Sequence, residues 1–521
     1  MMQLHDIWLP LGVLLAVSSI FLLRGSGHGR NVSHRLPPSP SGAWPILGHL
    51  LLLSTLPHRT LMELAKKYGP IMYMRLGKVP VVVVSSADML REFFQVNDLI
   101  MASRPRYSAS EILSFNRQDI AAQPYCDRWR ELRKLFAQEL LSIKRLNELQ
   151  GVRRREVLHA VESIYYRAKQ SSNSTVNVRQ ELLEMNFNNT TQMLASKRYY
   201  GPKIKSELQA DEFSHLIEEA IDLMASFDIG DYIPFLKRFD LQGNIKRLHQ
   251  TNAGFDRLID KLFLEHRTGT IDRASGVNDF VDTLLELQRK EDLPDGAIKG
   301  LIFDFLMAGT ETSATVLEWL LADLQLNPKA MMEIQRELDE KVGTNRIVEE
   351  SDIPKLTYLQ ACVKESMRLH PTVPLMLPHE STASCTVAGY YIPAKVRVFV
   401  NMAAIHLNPE TYDQPETFRP ERFLPSGPNS HLEMKGQHFD LVPFGTGRRI
   451  CMGMNLGLLL VHLGAAVLLQ AYDWRLPAGL KAESVDMSEG LGSVAHMKVT
   501  LHLVPTPRLP AHVYAAENIE L

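Results

Sequence analysis

The stretch PFGTGRRICMG, residues 443–453, decides how this chain is read. Gly445, Gly447 and Gly453 surround Cys451, and Arg448 and Arg449 precede it. Glycines let the backbone take conformations that other residues resist, and they leave room for a flat object to approach closely. Adjacent guanidinium groups lower the pKa of a thiol and favour the thiolate, the form that binds metal. A helix-forming run at 456–469 follows at once, so the sulfur lies near a helix N-terminus whose partial positive charge also favours an ionised sulfur. The expectation is an exposed, charged sulfur in a tight loop.

Most lone cysteines are small core residues, but the flanking glycines and arginines oppose that reading here. A nucleophilic cysteine wants a neighbouring base, and none stands near Cys451. Ligation of haem iron needs only one thiolate, together with a pocket that has partners for two propionates.

The rest of the composition is consistent with one sulfur acting alone. Four cysteines, Cys126, Cys362, Cys385 and Cys451, contain no C-x-x-C pair, which excludes a disulfide framework and a four-thiolate zinc site. With 521 residues, 45% hydrophobic and 22% charged, the chain is neither disordered nor a multi-span membrane protein. Its 57 basic and 59 acidic side chains give a net charge of -2 and no basic stripe, so nucleic acid is excluded as a partner.

The N-terminus is different in kind. Residues 7–23, IWLPLGVLLAVSSIFLL, carry no charge. As a helix they span roughly 26 Å, close to the roughly 27 Å hydrocarbon core of an endoplasmic reticulum bilayer. Arg24, Arg30 and Arg35 follow the apolar run, whereas a cleaved signal peptide carries its charge before it. Residues 1–24 therefore read as a single membrane anchor with the rest of the chain in the cytosol, and the sequons at Asn31, Asn173, Asn188 and Asn189 are expected to stay bare. Residues 25–49 are basic and then proline-rich, with Pro37, Pro38, Pro40 and Pro45 predicting a stiff extended hinge. Residues 50–521 form the catalytic body.

In that body most segments have helical spacing, and the strand-like runs are short: 71–76, 79–85, 385–391 and 396–401. A mainly α fold with small β-sheets is the expectation. Residues 298–325 stay largely apolar for seven turns yet carry AGTETS, residues 308–313, in their middle. Glycine costs about 1 kcal/mol in a helix interior, and a run of hydroxyls competes for backbone carbonyls. Either the helix tolerates a kink at a crossing, or a ligand lies against it there.

The pattern F-x-x-G-x-R-x-C-x-G, met at Phe444, Gly447, Arg449, Cys451 and Gly453, resembles that of the cytochrome P-450 monooxygenases, in particular the plant microsomal ones of secondary metabolism. Further motifs follow in order. Trp129 and Arg133 match W-x-x-x-R, Ala308 to Ser313 match the oxygen-activating stretch, Glu365 and Arg368 match E-x-x-R, and Arg422 lies in PERF. The resemblance implies the helical prism of that family, enclosing haem b with Cys451 as the thiolate ligand of the iron. It implies propionate partners at Trp129, Arg133, Arg449 and His379, and haem-pocket positions at Phe444, Gly445, Gly453 and Ala308. It also implies a structural triad of Glu365, Arg368 and Arg422. Thr312 resembles the family's proton-delivery threonine and Glu311 its acid partner, since activating dioxygen needs protons and a hydroxyl beside an acid relays them. One departure stands out: Met452 occupies the position where plant relatives usually carry proline.

By the same resemblance the substrate pocket is lined by Ile112, Phe115, Phe305, Val373, Leu375 and Leu491. These side chains are apolar, which favours a small neutral plant metabolite, whether terpenoid, flavonoid or phenylpropanoid, although Arg104, Arg106 and Arg117 lie close enough in sequence to add a charge. The chain has no dinucleotide fingerprint of its own, so electrons from NADPH arrive through a separate membrane-bound reductase docking near Arg448 and residues 128–134. An isomerase or dehydratase of the same fold that consumes no O2, or a non-enzymatic haem protein, is the alternative.

Overall fold

A computed structural model describes residues 35–170, 174–201, 207–271 and 276–514. The anchor expected at 1–24 and the start of the hinge lie outside the described residues. Among those described, one helix, Met454–Ala471, is long and apolar enough to cross a membrane, and it is mostly buried in the body of the protein.

The body is organised around the helix Asp295–Leu326, 32 residues without an internal proline, which stops where Pro328 opens the next helix. Helices Val178–Ala195, Phe280–Glu291, Thr357–Leu369 and Met454–Ala471 pack against it. Its N-terminal part, from Ala297 to Leu306, belongs to one apolar core, and Ala314 to Leu324 belong to a second. The helix Met454–Ala471 divides the same way, with Leu456 and Leu460 in the first core and Val461 to Ala471 in the second. AGTETS supplies no large apolar side chain, so it falls at the seam between the cores. A seam on two long helices is where a large flat ligand is accommodated without cutting either core.

The sheets are small, as expected. Strands Ile71–Leu76 and Val79–Val84 form an antiparallel hairpin with Ile71 opposite Val84, and Val79–Val84 then pairs in parallel with Arg397–Val400. The run at 385–391 is not one strand: Cys385–Val387 and Tyr390–Ile392 form their own hairpin across Ala388 and Gly389, both at positive φ. The proline-rich segment is strapped to the body from Arg35 onward, because Tyr391 N donates to Arg35 O (2.8 Å), Tyr73 N to Pro38 O (2.9 Å), and His49 Nε2 lies 2.9 Å from Pro40 O.

Candidate active site

Cys451 is exposed, unlike the other three cysteines, and its backbone N–H donates to Phe444 O (2.9 Å), closing the loop. Gly445 (φ 75°) and Gly447 (φ 67°) occupy the left-handed region, and a Cβ on Gly447 would stand 2.6 Å from Asp98 Oδ1. Gly453 has an ordinary helical-side φ; its role is space, for the nearest atom to a Cβ there is the Cys451 sulfur at 3.9 Å. The expectation that Arg448 and Arg449 ionise the thiol is overturned. Arg448 turns outward to Asp98 (3.1 Å) and Arg449 turns to backbone carbonyls; although the residue as a whole is exposed, the protein around the sulfur desolvates it and pushes the thiol pKa up, against the opposing Gly453 N–H and Arg133. An ionised sulfur here needs the charge of a bound metal, which deprotonates a coordinating thiol outright.

Behind the loop, Glu365, Arg368 and Arg422 come together with side chains at most 1% exposed. Arg368 grips Glu365 with two hydrogen bonds (2.7 and 2.8 Å), and Arg422 Nε donates to Glu365 Oε1 (3.0 Å). The remaining guanidinium donors reach carbonyls of His406, Pro415 and Asp413, and the Tyr412 ring lies under both arginines at 4.7 and 5.9 Å. His406 carries the network to the cysteine loop: its Nε2 accepts from Val442 N (3.0 Å), two residues before Phe444, and burial beside Arg368 lowers its pKa to about 3, so it is neutral.

A second arginine group lies on the other side of the loop. Arg133 Nη2 donates to Ile450 O (2.6 Å), the residue before the sulfur. Arg449 donates to Ala102, Ile120 and Gln123 carbonyls at 2.6 to 2.9 Å, and Arg104 to those of Ala121, Leu377 and Pro378. Trp129 is a platform for this group, with Arg449 at 4.0 Å and Arg133 at 5.4 Å from its ring. Its indole N–H is given to Ile120 O (3.0 Å), so the side chain that the motif offers to a propionate already has a partner.

These residues fit haem. Among the described residues none of Arg104, Arg133 and Arg449 is ion-paired with a carboxylate, and burial together with the other two cations pushes the Arg449 pKa down to about 8. His379, beside them, is held by Met101 O at Nδ1 (2.8 Å) while its buried Nε2 has no partner. Two buried cations, Arg104 and Arg449, with the half-buried Arg133 and an unmet ring nitrogen are costly unless an anion joins them, and a porphyrin with two carboxylates supplies one. Arg104, which the sequence offered as a charge for the substrate, belongs to this group.

On the central helix, Ala308 is exposed and Asp304 and Thr312 are half-buried, in a stretch where most other side chains are buried. They recur every four residues and so share one face. Gly309, one step round, faces helix Val178–Ala195, where a Cβ would stand 2.9 Å from Thr190 Oγ1. Gly309 therefore serves a helix crossing, and its neighbour Ala308 is exposed. Phe305 is not on that face. It packs edge-on against Phe280 at 4.8 Å in the core, so its assignment to the pocket is corrected.

Thr312 Oγ1 donates to Ala308 O (2.7 Å), whereas Glu311 turns the other way, accepting from Arg179 Nη2 (2.7 Å) and Ser493 Oγ (2.7 Å). Arg179 also reaches Glu318 (3.0 Å). Arg179 was not singled out from sequence, though Glu311, Thr315 and Glu318 at helical spacing were a sign that a cation faces them. Ile112 and Phe115 lean on the core around the helix's first half, and Val373 and Leu375 on two other clusters. Trp319 Nε1 donates to Ala495 O (3.0 Å) and Ala495 N to Thr372 O (2.8 Å), which joins residues 372–377 and the hairpin Glu489–Met497 to the central helix. The side chain of Leu491 lies outside the described residues. The open cleft at Arg336, Asp339 and Arg508 holds none of the motif residues.

An exposed cysteine sulfur, a buried cationic group without an anion and a small-residue gap in a long helix define a haem-thiolate protein of the oxygen-activating class. Residues 37–501 match the family described as Cytochrome P450. The chain is 38% identical to a flavonoid 3',5'-hydroxylase of Crocosmia x crocosmiiflora, over 98% of each chain, and 39% identical to a flavonoid 3'-monooxygenase of Arabidopsis thaliana, over 97% of this chain and 98% of that one. A zebrafish cytochrome P450 solved with progesterone superimposes with a TM-score of 0.73 at 26% identity, covering 87% of this chain and 99% of that one. The chain belongs to the cytochrome P450 family and is a plant-type monooxygenase that uses haem, O2 and electrons supplied by an NADPH-dependent reductase. The family and these relatives do not favour the O2-independent alternative.

Proposed function

We propose that this enzyme hydroxylates a neutral flavonoid or a closely related phenolic, with Cys451 as the axial ligand of haem iron and Arg104, Arg133, Arg449 and His379 around the propionates. When bound, haem with a thiolate ligand would supply the reductive activation of O2, by which one oxygen atom enters a C–H bond and the other leaves as water. The chain's own residues orient the substrate and move protons. Thr312, on the open face of the central helix, hands a proton inward; Glu311, held by Arg179 and Ser493 at the helix's flank, resupplies it. Thr312→Ala is expected to lower product formed per NADPH, the lost electrons appearing as hydrogen peroxide; unchanged coupling overturns this role.

The observation that carries the substrate reading is that the arginines on either side of helix Ser108–Leu113 are already engaged within the protein, added to the relatives' chemistry. Arg106 is paired with Glu111 (2.9 Å), and Arg117 spends its donors on Ala122 O and Arg104 O (2.9 and 2.8 Å). An anionic substrate would find no counter-charge there. Ile112, Phe115, Val373 and Leu375 make the apolar wall. Residues 1–24 anchor the enzyme in the endoplasmic reticulum membrane, residues 25–49 lead to the cytosolic catalytic domain 50–521, and Arg448 with residues 128–134 meets an acidic face of the reductase.

The test is microsomal co-expression with a plant reductase, then substrate-difference spectra and product analysis over flavanones, flavones and terpenes. Hydroxylated flavonoid formed only with NADPH and O2 is the expected result. Turnover of terpenes with no response to any flavonoid overturns the substrate, and a soluble full-length enzyme overturns the anchor.

A further inference from the structure

The stripe on the central helix begins before the pocket. Gly296 and Gly300 precede Asp304, Ala308 and Thr312 at the same four-residue spacing, so the five form one ridge that winds round the helix by about 40° per step, and Gly300 is the direct neighbour of Asp304 on it. The first two are filled by a neighbouring loop: a Cβ on Gly296 would stand 2.7 Å from Gln118 Nε2, and one on Gly300 would stand 3.0 Å from Asp119 N. The loop that lies there is strained, since Phe115, Asn116 and Arg117 all have φ between 51° and 64°, a region that costs each side-chain-bearing residue roughly 1 to 2 kcal/mol. Something has to hold it down.

Asp304 Oδ2 accepts from Ile120 N (2.8 Å) and Ala121 N (3.1 Å), and Asp119 Oδ2 accepts from Ala122 N (2.9 Å). That leaves one oxygen on each aspartate. Asp119 Oδ1 is buried without any donor, and the two carboxyl groups lie within hydrogen-bonding reach of one another. Two ionised carboxylates in that contact would repel in a low-dielectric site, while one proton between them supplies the missing donor. We propose that Asp119 and Asp304 share a single proton, and that this carboxyl–carboxylate bond is the latch that seats loop 114–123 on the central helix. The two aspartates are then positioning residues for the haem site, because the loop they seat presents the Ile120 and Gln123 carbonyls that hold Arg449, and the Ala121 carbonyl that holds Arg104.

The charges around the pair agree. Asp119 faces Arg104, Arg117 and Arg449 and lies beside the Ser114 hydroxyl; Asp304 faces only backbone amides and its partner. The proton therefore sits on Asp304, and the charge on Asp119 beside the arginines. Burial raises both groups, Asp119 to about 6 and Asp304, with Asp119's charge added, further. The pair titrates as one unit. Because the folded state holds the proton more tightly than unfolded aspartates do, the latch is fully present at acid pH and is lost as pH rises through the titration of the folded pair.

Hydrogen exchange of the Ile120, Ala121 and Ala122 amides in the haem-loaded full chain tests this from about pH 6 to about pH 9, after correction for intrinsic exchange, without substrate or turnover. Protection of these amides in the parent is expected to fall by up to about tenfold per pH unit once the shared proton begins to leave. Asp304→Asn keeps the same hydrogen bonds with an amide proton that does not titrate, and leaves the charge on Asp119 beside the arginines, so it is expected to hold the loop with flat pH dependence. The same pH dependence in parent and Asp304→Asn overturns the proposal. So does failure of Asp304→Asn to fold or load haem, because an amide reproduces the neutral carboxyl and only a required negative charge would make it intolerable.

Discussion

Two buried arginine groups flank the Cys451 loop, and they are built on opposite terms. Arg368 and Arg422 carry their anion with them: Glu365 takes both guanidinium groups, and nothing in that network asks for a ligand. Arg104, Arg133 and Arg449 meet only carbonyl oxygens, with Asp119 as a more distant negative charge, and His379 beside them keeps a nitrogen unmet. A buried cation paired within the chain is architecture. A buried cation given only neutral acceptors is architecture left incomplete, and its shape tells what completes it.

Four substitutions break or sharpen that contrast. Arg368→Ala leaves Glu365 and Arg422 without their full set of partners, so a loss of about 3–5 kcal/mol is expected; denaturant unfolding and the reduced carbon monoxide spectrum should show little folded, haem-loaded protein. Arg449→Gln has a different signature. Losing a charge-assisted bond is worth about 1.5–3 kcal/mol, so haem affinity falls roughly 10- to 150-fold. The haem-free protein should change far less, since a poorly compensated charge leaves with the hydrogen bonds. If Arg449→Gln unfolds the haem-free protein as Arg368→Ala does, the contrast is void. Trp129→Phe removes the bond to Ile120 O and weakens the platform, for about 1 kcal/mol seen as faster haem loss. Tyr412→Leu removes the ring beneath Arg368 and Arg422 and should lower thermal stability by about 0.5–1 kcal/mol with haem affinity unchanged.

The triad was legible because E-x-x-R is a helical spacing and PERF a local signature, whereas its link to the cysteine loop was not: His406 and Val442 are joined by a hydrogen bond between distant segments that no periodicity announces. Where the sequence reading erred, adjacency stood in for direction. Arg448 is three residues from the sulfur yet points to Asp98, and Phe305 is three from Ala308 yet points to Phe280. On a helix, residues four apart share a face and neighbours do not. Applied strictly, that rule puts Asp304, Ala308 and Thr312 on one side of the helix from sequence alone, but that a loop covers Gly296 and Gly300 further along the same ridge depends on a strained turn far earlier in the chain, which sequence does not show.

The crossing at Gly309 bears on how the enzyme was able to diversify. With no room there for even a methyl group against Thr190, and a helix rise of about 1.5 Å per residue, the two helices are indexed to each other like gear teeth. Neither slides to suit a new substrate. Changes of specificity are left to the walls around the gap, while the height of Ala308 and Thr312 above whatever occupies it stays common property of every variant built on this frame.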